Sequence, residues 1–302
     1  MIKKYLSLIK FSHTIFAMPF AMIGFVLGIM GNEIDFTLGR GTYFLITKLI
    51  LVVLCMIFAR SAAMAFNRWL DKNFDAANPR TAIREIPQGI ISANKALLFV
   101  VFNCIAFVIT TWFINPLCFY LSFVALFVIL FYSYTKRFTP LCHLVLGVGL
   151  ALAPIGAYLA VTGVFAILPL LFSLIVLLWV SGFDVIYALQ DEEFDRLQHL
   201  HSIPAFFGKK KALFISQLLH IFSVMFVILA GLKGEFGLLF WIGAALFGGM
   251  LLYQHSIVQY NNLSRVNIAF MTSNGIASIV FAVFVILDII TNKRYILPVI
   301  VD

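Results

Sequence analysis

Long apolar runs separated by short polar segments form the dominant pattern along this chain. A helix needs about 20 apolar residues to cross about 30 Å of hydrocarbon, and runs of that length recur through the whole sequence. We therefore predict an all-α, polytopic membrane protein whose helices form one bundle, with residues 1–302 making a single membrane-embedded domain. About nine spans are predicted, near residues 12–30, 44–66, 96–114, 117–134, 143–161, 167–188, 212–231, 236–257 and 268–290.

Two places affect the number of spans. A turn at Asn115-Pro116 is expected to divide one apolar stretch into two crossings, because the undivided stretch is long enough for both. The first apolar run begins near Phe11 and shows no small-x-small cleavage site before Asn32 and Glu33. We therefore expect this run to remain in the protein as its first span.

Composition agrees with a membrane protein and narrows the possible partners. Hydrophobic residues make up 63% of the chain and charged residues 11%, against about 45–50% and about 25% in soluble domains. A net charge of +8 would suggest nucleic acid in a soluble protein, but basic residues here are better explained by cytoplasmic loops and anionic lipid. We expect the lipid bilayer as the surroundings and no nucleic acid, and nothing in the sequence implies a protein partner.

The distribution of Lys and Arg predicts the orientation. With the N-terminus inside, fifteen of these residues fall on the inner side, five fall outside, and Arg60 lies within a span. This bias over short loops is typical of cytoplasmic segments. The long loops 67–95 and 189–211 are four crossings apart and share a side. We expect both loops and the N-terminus to be cytoplasmic, and a bacterial inner (plasma) membrane is the simplest location.

The first long loop begins with an acidic motif. If the second span continues as a helix, Asn67, Asp71 and Asp75 occur at four-residue intervals and lie along one face. Arg60 lies on the same face, about 10 Å further into the span. A charge inside a span costs at least about 2.5–3.5 kcal/mol on insertion scales, so Arg60 should face a partner or a polar cavity.

The second long loop contains a similar motif. Asp184, Tyr187, Asp191 and Asp195 are spaced so that they too share one helical face as the chain leaves the sixth span. Carboxylates from two such motifs repel one another unless cations lie between them. Oxygen ligands without Cys or His clusters favour Mg²⁺, which is usually held by a few carboxylates together with substrate phosphates. The two motifs together predict a Mg²⁺ site for a phosphorylated ligand at one end of the bundle.

Basic side chains that could bind a diphosphate are predicted on the same side of the membrane as the two acidic motifs. Lys136 and Arg137 come directly after the fourth span, Tyr132 precedes Lys136 by one helical turn, and Arg68, Arg80 and Arg84 lie in the first loop. Each motif also has a simpler explanation. An acidic pair at a helix end is often a solvated cap, and Lys136 and Arg137 could be ordinary positive-inside anchors.

These residues resemble the signatures of the UbiA superfamily of membrane-embedded aromatic prenyltransferases. The resemblance rests on Asn67-Arg68-x-x-Asp71-x-x-x-Asp75, on Tyr132-x-x-x-Lys136-Arg137, and on Asp184-x-x-Tyr187-x-x-x-Asp191-x-x-x-Asp195. It implies a UbiA-like bundle and a reaction that transfers a polyprenyl group from a polyprenyl diphosphate to a small aromatic acceptor. The opening segment is most similar to bacterial 4-hydroxybenzoate polyprenyltransferase-type proteins, so the resemblance implies a role in ubiquinone or menaquinone synthesis.

Site roles follow from this resemblance. Asp71, Asp75, Asp191 and Asp195 would be the catalytic carboxylates, and together with Asn67 they would hold Mg²⁺ against the diphosphate. Lys136, Tyr132 and Arg137 would contact the diphosphate, and Arg60 would meet the acceptor. The substrate-binding set implied by the resemblance is completed by Arg68, Asp184 and Tyr187.

Two other functions remain open from the sequence. A naphthoate acceptor in menaquinone synthesis is the alternative within the family. A transporter or channel is the alternative from another class, with Arg60 and Asp184 marking an ion path, and it predicts broken helices near the midplane. The clustering of polar residues at one end of the predicted spans favours an enzyme over a transporter.

Overall fold

The computed structural model describes residues 2–9, 16–31 and 40–292. Every regular element in this part of the chain is helical. A 3₁₀ turn covers Leu189–Asp191 and a π-helix covers Ile268–Ser273. The α-helices are α1 Ile2–Leu8, α2 Met18–Met30, α3 Arg40–Leu70, α4 Lys72–Ala77, α5 Ala93–Trp112, α6 Pro116–Thr135, α7 Cys142–Thr162, α8 Ile167–Ala188, α9 Glu192–Leu197, α10 Ile203–Phe207, α11 Lys209–Lys233, α12 Leu238–Ile257 and α13 Asn274–Asn292.

Within the described residues, eight helical segments are long and apolar enough to cross a membrane, and α2 is a shorter apolar helix. The all-α membrane fold is thus confirmed, and the predicted count of about nine spans is close. The first predicted span, 12–30, is only partly described, because residues 12–15 lie outside the described ranges. Lys293 and Arg294, two of the five basic residues expected on the outer side, also lie outside the described ranges.

Local sequence explains where several helices begin and end. The Asn115 side chain accepts a hydrogen bond from the Cys118 N–H at 2.8 Å, and Pro116 occupies the first turn of α6. This combination of cap and proline is favoured at helix N-termini, and it confirms the predicted turn between two crossings. Gly163 has φ +71° and ends α7, because glycine adopts the left-handed conformation without a steric cost.

Helix α8 is the central helix of the bundle, with α7 and α11 packed on either side. Its side chains Phe172, Ile175 and Trp179 are fully buried. Hydroxyl groups join it to both neighbours: Ser216 of α11 donates to the Gly182 carbonyl at 2.7 Å, and Ser181 donates to the His143 carbonyl at 3.1 Å. Small and hydroxylated residues at helix contacts are typical of membrane bundles.

Helices α2 and α7 cross at one very close point. A Cβ atom at Gly24 would lie 2.0 Å from the carbonyl oxygen of Pro154, so only glycine fits there without moving backbone. Pro154 lies inside α7, where a proline is tolerated in a membrane helix because neighbouring groups satisfy the backbone that it leaves unpaired. The crossing brings α2 against the helix that begins next to the polar site.

Candidate functional site

The two acidic motifs face one another across a cavity of about 550 Å³ at one end of the bundle. We call this space the polar cavity. It is bounded by the end of α3, by α4, by the junction of α6 and α7, and by the end of α8 with α9. Among the residues predicted for the site, those that line it are Arg60, Asn67, Arg68, Asp71, Asp75, Tyr132, Lys136, Asp184, Tyr187, Asp191 and Asp195.

The first motif follows a helix that is interrupted at Asp71. Helix α3 ends at Leu70 and α4 begins at Lys72, while Asp71 has φ −90° and ψ 8°. The backbone N–H of Asp71 still donates to the Asn67 carbonyl at 2.9 Å, and that of Asp75 donates to the Asp71 carbonyl at 2.7 Å. Helical spacing therefore continues across the interruption, and all three side chains reach the cavity.

Asp71 meets side chains from both α3 and the end of α6. Only 3% of its side chain is exposed, and it lies 3.2 Å from Lys136 Nζ and 2.8 Å from Arg137 Nη2. The Asn67 amide donates at 3.2 Å to Oδ2, the oxygen that also faces Lys136, while Arg137 contacts Oδ1. Arg137 does not line the cavity itself, but it packs over Phe74 and Tyr134 while it holds Asp71. The basic pair after α6 thus meets the first acidic motif directly.

Asp75 pairs with an arginine from the loop that follows α4. The distance from Asp75 Oδ1 to Arg84 Nη1 is 2.7 Å. The second oxygen, Oδ2, is buried and has no hydrogen-bond partner among the described residues. A buried carboxylate oxygen without a donor is costly, so this atom is suited to a ligand that brings positive charge.

Asp191, in the second motif, is bonded to two side chains of the first loop. Arg80 Nε donates to Oδ1 at 2.9 Å, a second Arg80 nitrogen contacts Oδ2, and the Asn78 amide donates at 3.1 Å. Arg80 also donates to the Tyr187 hydroxyl at 3.0 Å. Burial would lower the pKa of Arg80, but the bonds and charge of Asp191 and Tyr187 outweigh it and raise the pKa above its usual value. Arg80 therefore stays charged and ties the two loops together.

Two further predicted side chains, those of Asp195 and Arg68, are buried at the site. Asp195 is buried at the cavity wall, with 7% of the residue exposed. Arg68 is buried too, and its guanidinium lies 3.9 Å from Glu85, which also accepts a hydrogen bond from Ser7 at 2.5 Å. In this position Arg68 joins α3 to the first loop and to α1.

Sequence reasoning missed one member of the site. His143, in the first turn of α7, lines the cavity, and its Nδ1 atom lies 2.7 Å from Asp184 Oδ2. The sequence also suggested Arg80 and Arg84 only as possible ligands of a diphosphate. In the structure, Arg80 is paired with Asp191 and Arg84 with Asp75. The only available signal for His143 was a titratable residue seven positions after Lys136, at the start of an apolar run.

A second cavity of about 360 Å³ adjoins the polar one, and we call it the apolar cavity. It lies between α3, α5, α6 and α7 and is lined almost wholly by apolar side chains. Arg60, Met64, Tyr132, Leu146 and Leu150 line both cavities. The Arg60 Nε atom is buried and has no hydrogen-bond partner among the described residues, so this charge is available to a ligand at the junction.

The oxygen donors of the polar cavity bear on the expected Mg²⁺ site. The polar cavity offers the carboxylates of the two motifs and the Asn67 amide, all hard oxygen donors, and one buried Asp75 oxygen lacks a partner. These donors fit Mg²⁺ chemically. Among the described residues, no three His, Cys, Asp or Glu side chains gather as the ligands of one ion. The donors come from two facing walls, which suits a hard ion that takes further ligands from substrate phosphates.

Comparison with known proteins gives one family. A model of the UbiA prenyltransferase family matches residues 15–276. The 4-hydroxybenzoate octaprenyltransferase of Tolumonas auensis is 28% identical over 236 residues, which are 78% of this chain and 82% of that protein. The protein of the same name from Nitrosospira multiformis is 30% identical over 235 residues, covering 78% and 80% of the two chains.

Solved structures agree with the family model. The apo structure of a UbiA homolog from Aeropyrum pernix K1 matches with a TM-score of 0.75 at 28% identity, over 93% of this chain and 98% of that one. The structure of a UbiA homolog from Archaeoglobus fulgidus bound to DMAPP and Mg²⁺ matches with a TM-score of 0.71 at 21% identity, over 95% and 99%. This chain is an integral membrane prenyltransferase and belongs to the UbiA family.

Proposed function

We propose that this protein transfers a polyprenyl group from a polyprenyl diphosphate to an aromatic acceptor, with 4-hydroxybenzoate as the preferred acceptor, in quinone biosynthesis. The observation that carries the proposal is the junction of the two cavities. A cavity with two acidic motifs and their basic partners opens beside a cavity with apolar walls. A single amphiphilic substrate could therefore occupy both cavities, with its charged head in the polar cavity and its hydrocarbon tail in the apolar cavity.

The diphosphate head belongs in the polar cavity. Lys136, Arg80 and Arg84 carry positive charge in its lining, and Arg137 adjoins it through Asp71. Each of the four is held by a carboxylate of one of the motifs. Their side chains are a quarter to a third exposed, so they remain accessible to a ligand. Lys136 and Arg137 would bind diphosphate oxygens, with Tyr132 and Tyr187 close to the same head group.

Asn67, Asp71, Asp75, Asp191 and Asp195 would hold Mg²⁺ in this site. Bound Mg²⁺ would neutralise the charge that develops on the leaving diphosphate. The protein's own part is to hold the head group with its cationic side chains while the allylic C–O bond breaks and the electron pair leaves with the diphosphate. Apolar walls next to the allylic carbon would keep water from the cation.

The polyprenyl tail would extend into the apolar cavity. Burial of hydrocarbon there is favourable by about 0.8 kcal/mol for each CH₂ group, and the surrounding helices cross the bilayer. This explains in physical terms why the reaction needs a membrane protein.

The acceptor would bind at the junction of the cavities. The buried Nε atom of Arg60 has no hydrogen-bond partner there in the part of the chain that the structure describes, and a carboxylate on an aromatic ring would supply one. 4-Hydroxybenzoate offers such a carboxylate and an electron-rich ring. A naphthoate acceptor is the second candidate, because the same charge of Arg60 would bind its carboxylate. Asp184 would contact the ring from the opposite wall.

The two motifs and the N-terminus would face the cytoplasm of a bacterial cell. The excess of Lys and Arg in the loops at this end of the bundle supports that side. The polyprenyl diphosphate would approach through the bilayer and the acceptor from the aqueous phase.

Purified protein in lipid vesicles tests the proposed reaction. Radiolabelled polyprenyl diphosphate, 4-hydroxybenzoate and Mg²⁺ should give a prenylated product, and EDTA should abolish it. Asp191→Asn should lower the rate about 100-fold or more, because the loss of one charge-stabilising group costs about that much. Glu193→Gln is the matched control, since Glu193 is exposed two residues away. The proposal fails if the wild type prenylates no member of a panel of phenols and naphthoates.

A further inference from the structure

His143 and Asp184 form a hydrogen-bonded pair in the wall of the polar cavity. Their Nδ1 and Oδ2 atoms are 2.7 Å apart, and 4% of the His143 side chain is exposed against 24% of the Asp184 side chain. The histidine therefore lies behind the carboxylate, and the carboxylate faces the cavity. Among the described residues, the one hydrogen bond recorded for the Asp184 carboxylate comes from His143.

The second ring nitrogen defines the tautomer of His143. The backbone N–H of Ile203 donates to His143 Nε2 at 3.3 Å. A ring nitrogen that accepts a hydrogen bond carries no proton, so the proton is on Nδ1, which donates to Asp184. With both nitrogens bonded, the imidazole is held in one orientation, and its Nδ1 atom is bonded to Oδ2 of Asp184. Oδ1, the other oxygen of this cavity-lining carboxylate, is left for a ligand.

Asp184 lies at the depth of the acceptor rather than of the diphosphate. It precedes Asp191 by seven residues along α8 and the following turn, and Arg60 precedes Asn67 by seven residues along α3. Seven helical residues span about 10 Å, so both side chains lie well inside the rim that holds the two acidic motifs. Arg60, Tyr132 and Asp184 all line the polar cavity. Arg60 and Asp184 thus border the same part of the cavity.

Aromatic prenylation needs a proton acceptor at that place. When the allylic carbon bonds to the ring, the attacked ring carbon holds both the new substituent and its original hydrogen. Its C–H bond must then break so that the electron pair restores the aromatic ring. Asp71, Asp75 and Asp191 are bonded to arginine or lysine, whereas the hydrogen bond that Asp184 makes among the described residues comes from the His143 imidazole.

From this geometry we infer that His143 is a positioning residue that holds Asp184 as the acceptor of the ring proton. The inference rests on the proposed prenyl transfer. In the step, the ring C–H bond breaks, the proton passes to the cavity-facing oxygen of Asp184, and Asp184 releases it to water. His143 keeps its own proton throughout and only orients the carboxylate.

Three substitutions of His143 distinguish the effect of its hydrogen bond to Asp184 from that of its hydrogen bond to Ile203. His143→Ala removes both, and His143→Gln can reach Ile203 but places no donor at the Nδ1 position. His143→Asn places an amide N–H near the Nδ1 position and keeps the bond to Asp184. His143→Ala and His143→Gln should lower kcat about 100-fold, as expected when a reacting group is displaced by about 1 Å. His143→Asn should keep most of the activity, and the KM for the polyprenyl diphosphate should be unchanged in all three.

An isotope measurement distinguishes this role from general loosening of the structure. 4-Hydroxybenzoate deuterated on the ring should show little effect on the wild-type rate. His143→Ala, His143→Gln and Asp184→Asn should each develop a primary kinetic isotope effect, because proton removal becomes rate-limiting. His199→Asn is the control: His199 is exposed on the same side of the bundle and has φ 55°, a conformation that asparagine tolerates.

The outcomes separate the two proposals. If the wild type fails to prenylate any acceptor, the proposed function is wrong. If the wild type is active but His143→Ala and His143→Gln match it, or lose activity without an isotope effect, the role of His143 is wrong. A loss of activity in His143→Asn as large as in His143→Ala would also overturn it.

Discussion

At the scale of single residues, the site is a set of paired charges. Asp71, Asp75 and Asp191 each lie within hydrogen-bonding distance of a basic side chain, so the charges of these three carboxylates are balanced by side chains of the protein itself. In the proposed reaction, the bound diphosphate and Mg²⁺ would exchange partners with these pairs, and few new charges would have to be buried. This lowers the desolvation cost that isolated buried charges would carry. Arg60 differs, because no described residue forms a hydrogen bond with its buried Nε atom.

Arg60 allows a test of acceptor recognition. Arg60→Ala should raise the KM for 4-hydroxybenzoate about 10- to 100-fold, because a hydrogen bond to a charged group contributes about 1.5–3 kcal/mol. The KM for the polyprenyl diphosphate should change little. Steady-state kinetics with each substrate varied in turn measure both values.

A carboxylate-free acceptor sharpens this test. Phenol should already be a poor acceptor for the wild type, and Arg60→Ala should weaken its use no further, as in a double-mutant cycle. Arg196→Ala, an exposed arginine on α9, is the control. Equal losses with phenol and with 4-hydroxybenzoate would remove Arg60 from contact with the carboxylate.

At the scale of helices, the site depends on helix ends and on close helix crossings. The interruption of α3 at Asp71 keeps the helical hydrogen bonds, so the first motif stays on one face while the chain turns into α4. The second motif leaves α8 through a 3₁₀ turn in the same way. Helix α7, which carries His143 in its first turn, is held against α2 at Gly24. Helix packing thus determines the position of the cavity wall.

The crossing at Gly24 predicts a stability effect. Gly24→Ala should lower the stability of the bundle by about 1–3 kcal/mol, because the added methyl group meets the backbone of Pro154 and overpacking costs that much. The Tm in detergent should fall by roughly 2–4 °C for each kcal/mol. Gly249→Ala in α12, where nothing lies within 4 Å of an added Cβ, should leave the Tm unchanged or higher. Equal Tm values for the two variants would show that the crossing tolerates a side chain.

At the scale of the whole molecule, the polar cavity and the apolar cavity lie at different depths in the helical bundle. The polar cavity lies at one end of the bundle, and the apolar cavity lies deeper, between membrane-spanning helices. The loops at 78–85 and 189–202 meet above the polar cavity. The expectation that both long loops share a side agrees with this contact, while the cytoplasmic side itself stays a prediction, as does the single domain over 1–302.

Sidedness can be measured by cysteine labelling. In a protein whose four native cysteines are replaced, Glu235→Cys lies in the exposed turn after α11, and Glu193→Cys is exposed beside the polar cavity. In intact bacterial cells, a membrane-impermeant maleimide should label position 235 at once. Position 193 should react only after the cells are permeabilised. The reverse pattern would place the site outside the cytoplasm.

The sequence by itself determined the class of structure and the position of both motifs. In lipid, each backbone N–H and C=O must find a partner within the protein, and a single apolar run of about 20 residues satisfies its own groups as a helix. Helical spacing is local, and it placed Asn67, Asp71 and Asp75 on one face without knowledge of the rest of the bundle. The turn at Asn115-Pro116 followed from the same local rules.

Only the tertiary structure decided which charges meet. Arg80 and Asp191 are 111 positions apart, and His143 and Asp184 are 41 apart. Their contact depends on how α3, α7 and α8 cross, and no local periodicity contains that information. Side-chain partners such as Arg84 for Asp75 also depend on the path of the loop after α4. The sequence supplied the chemical groups, and helix packing selected their partners, because distances between segments arise from the packed bundle as a whole.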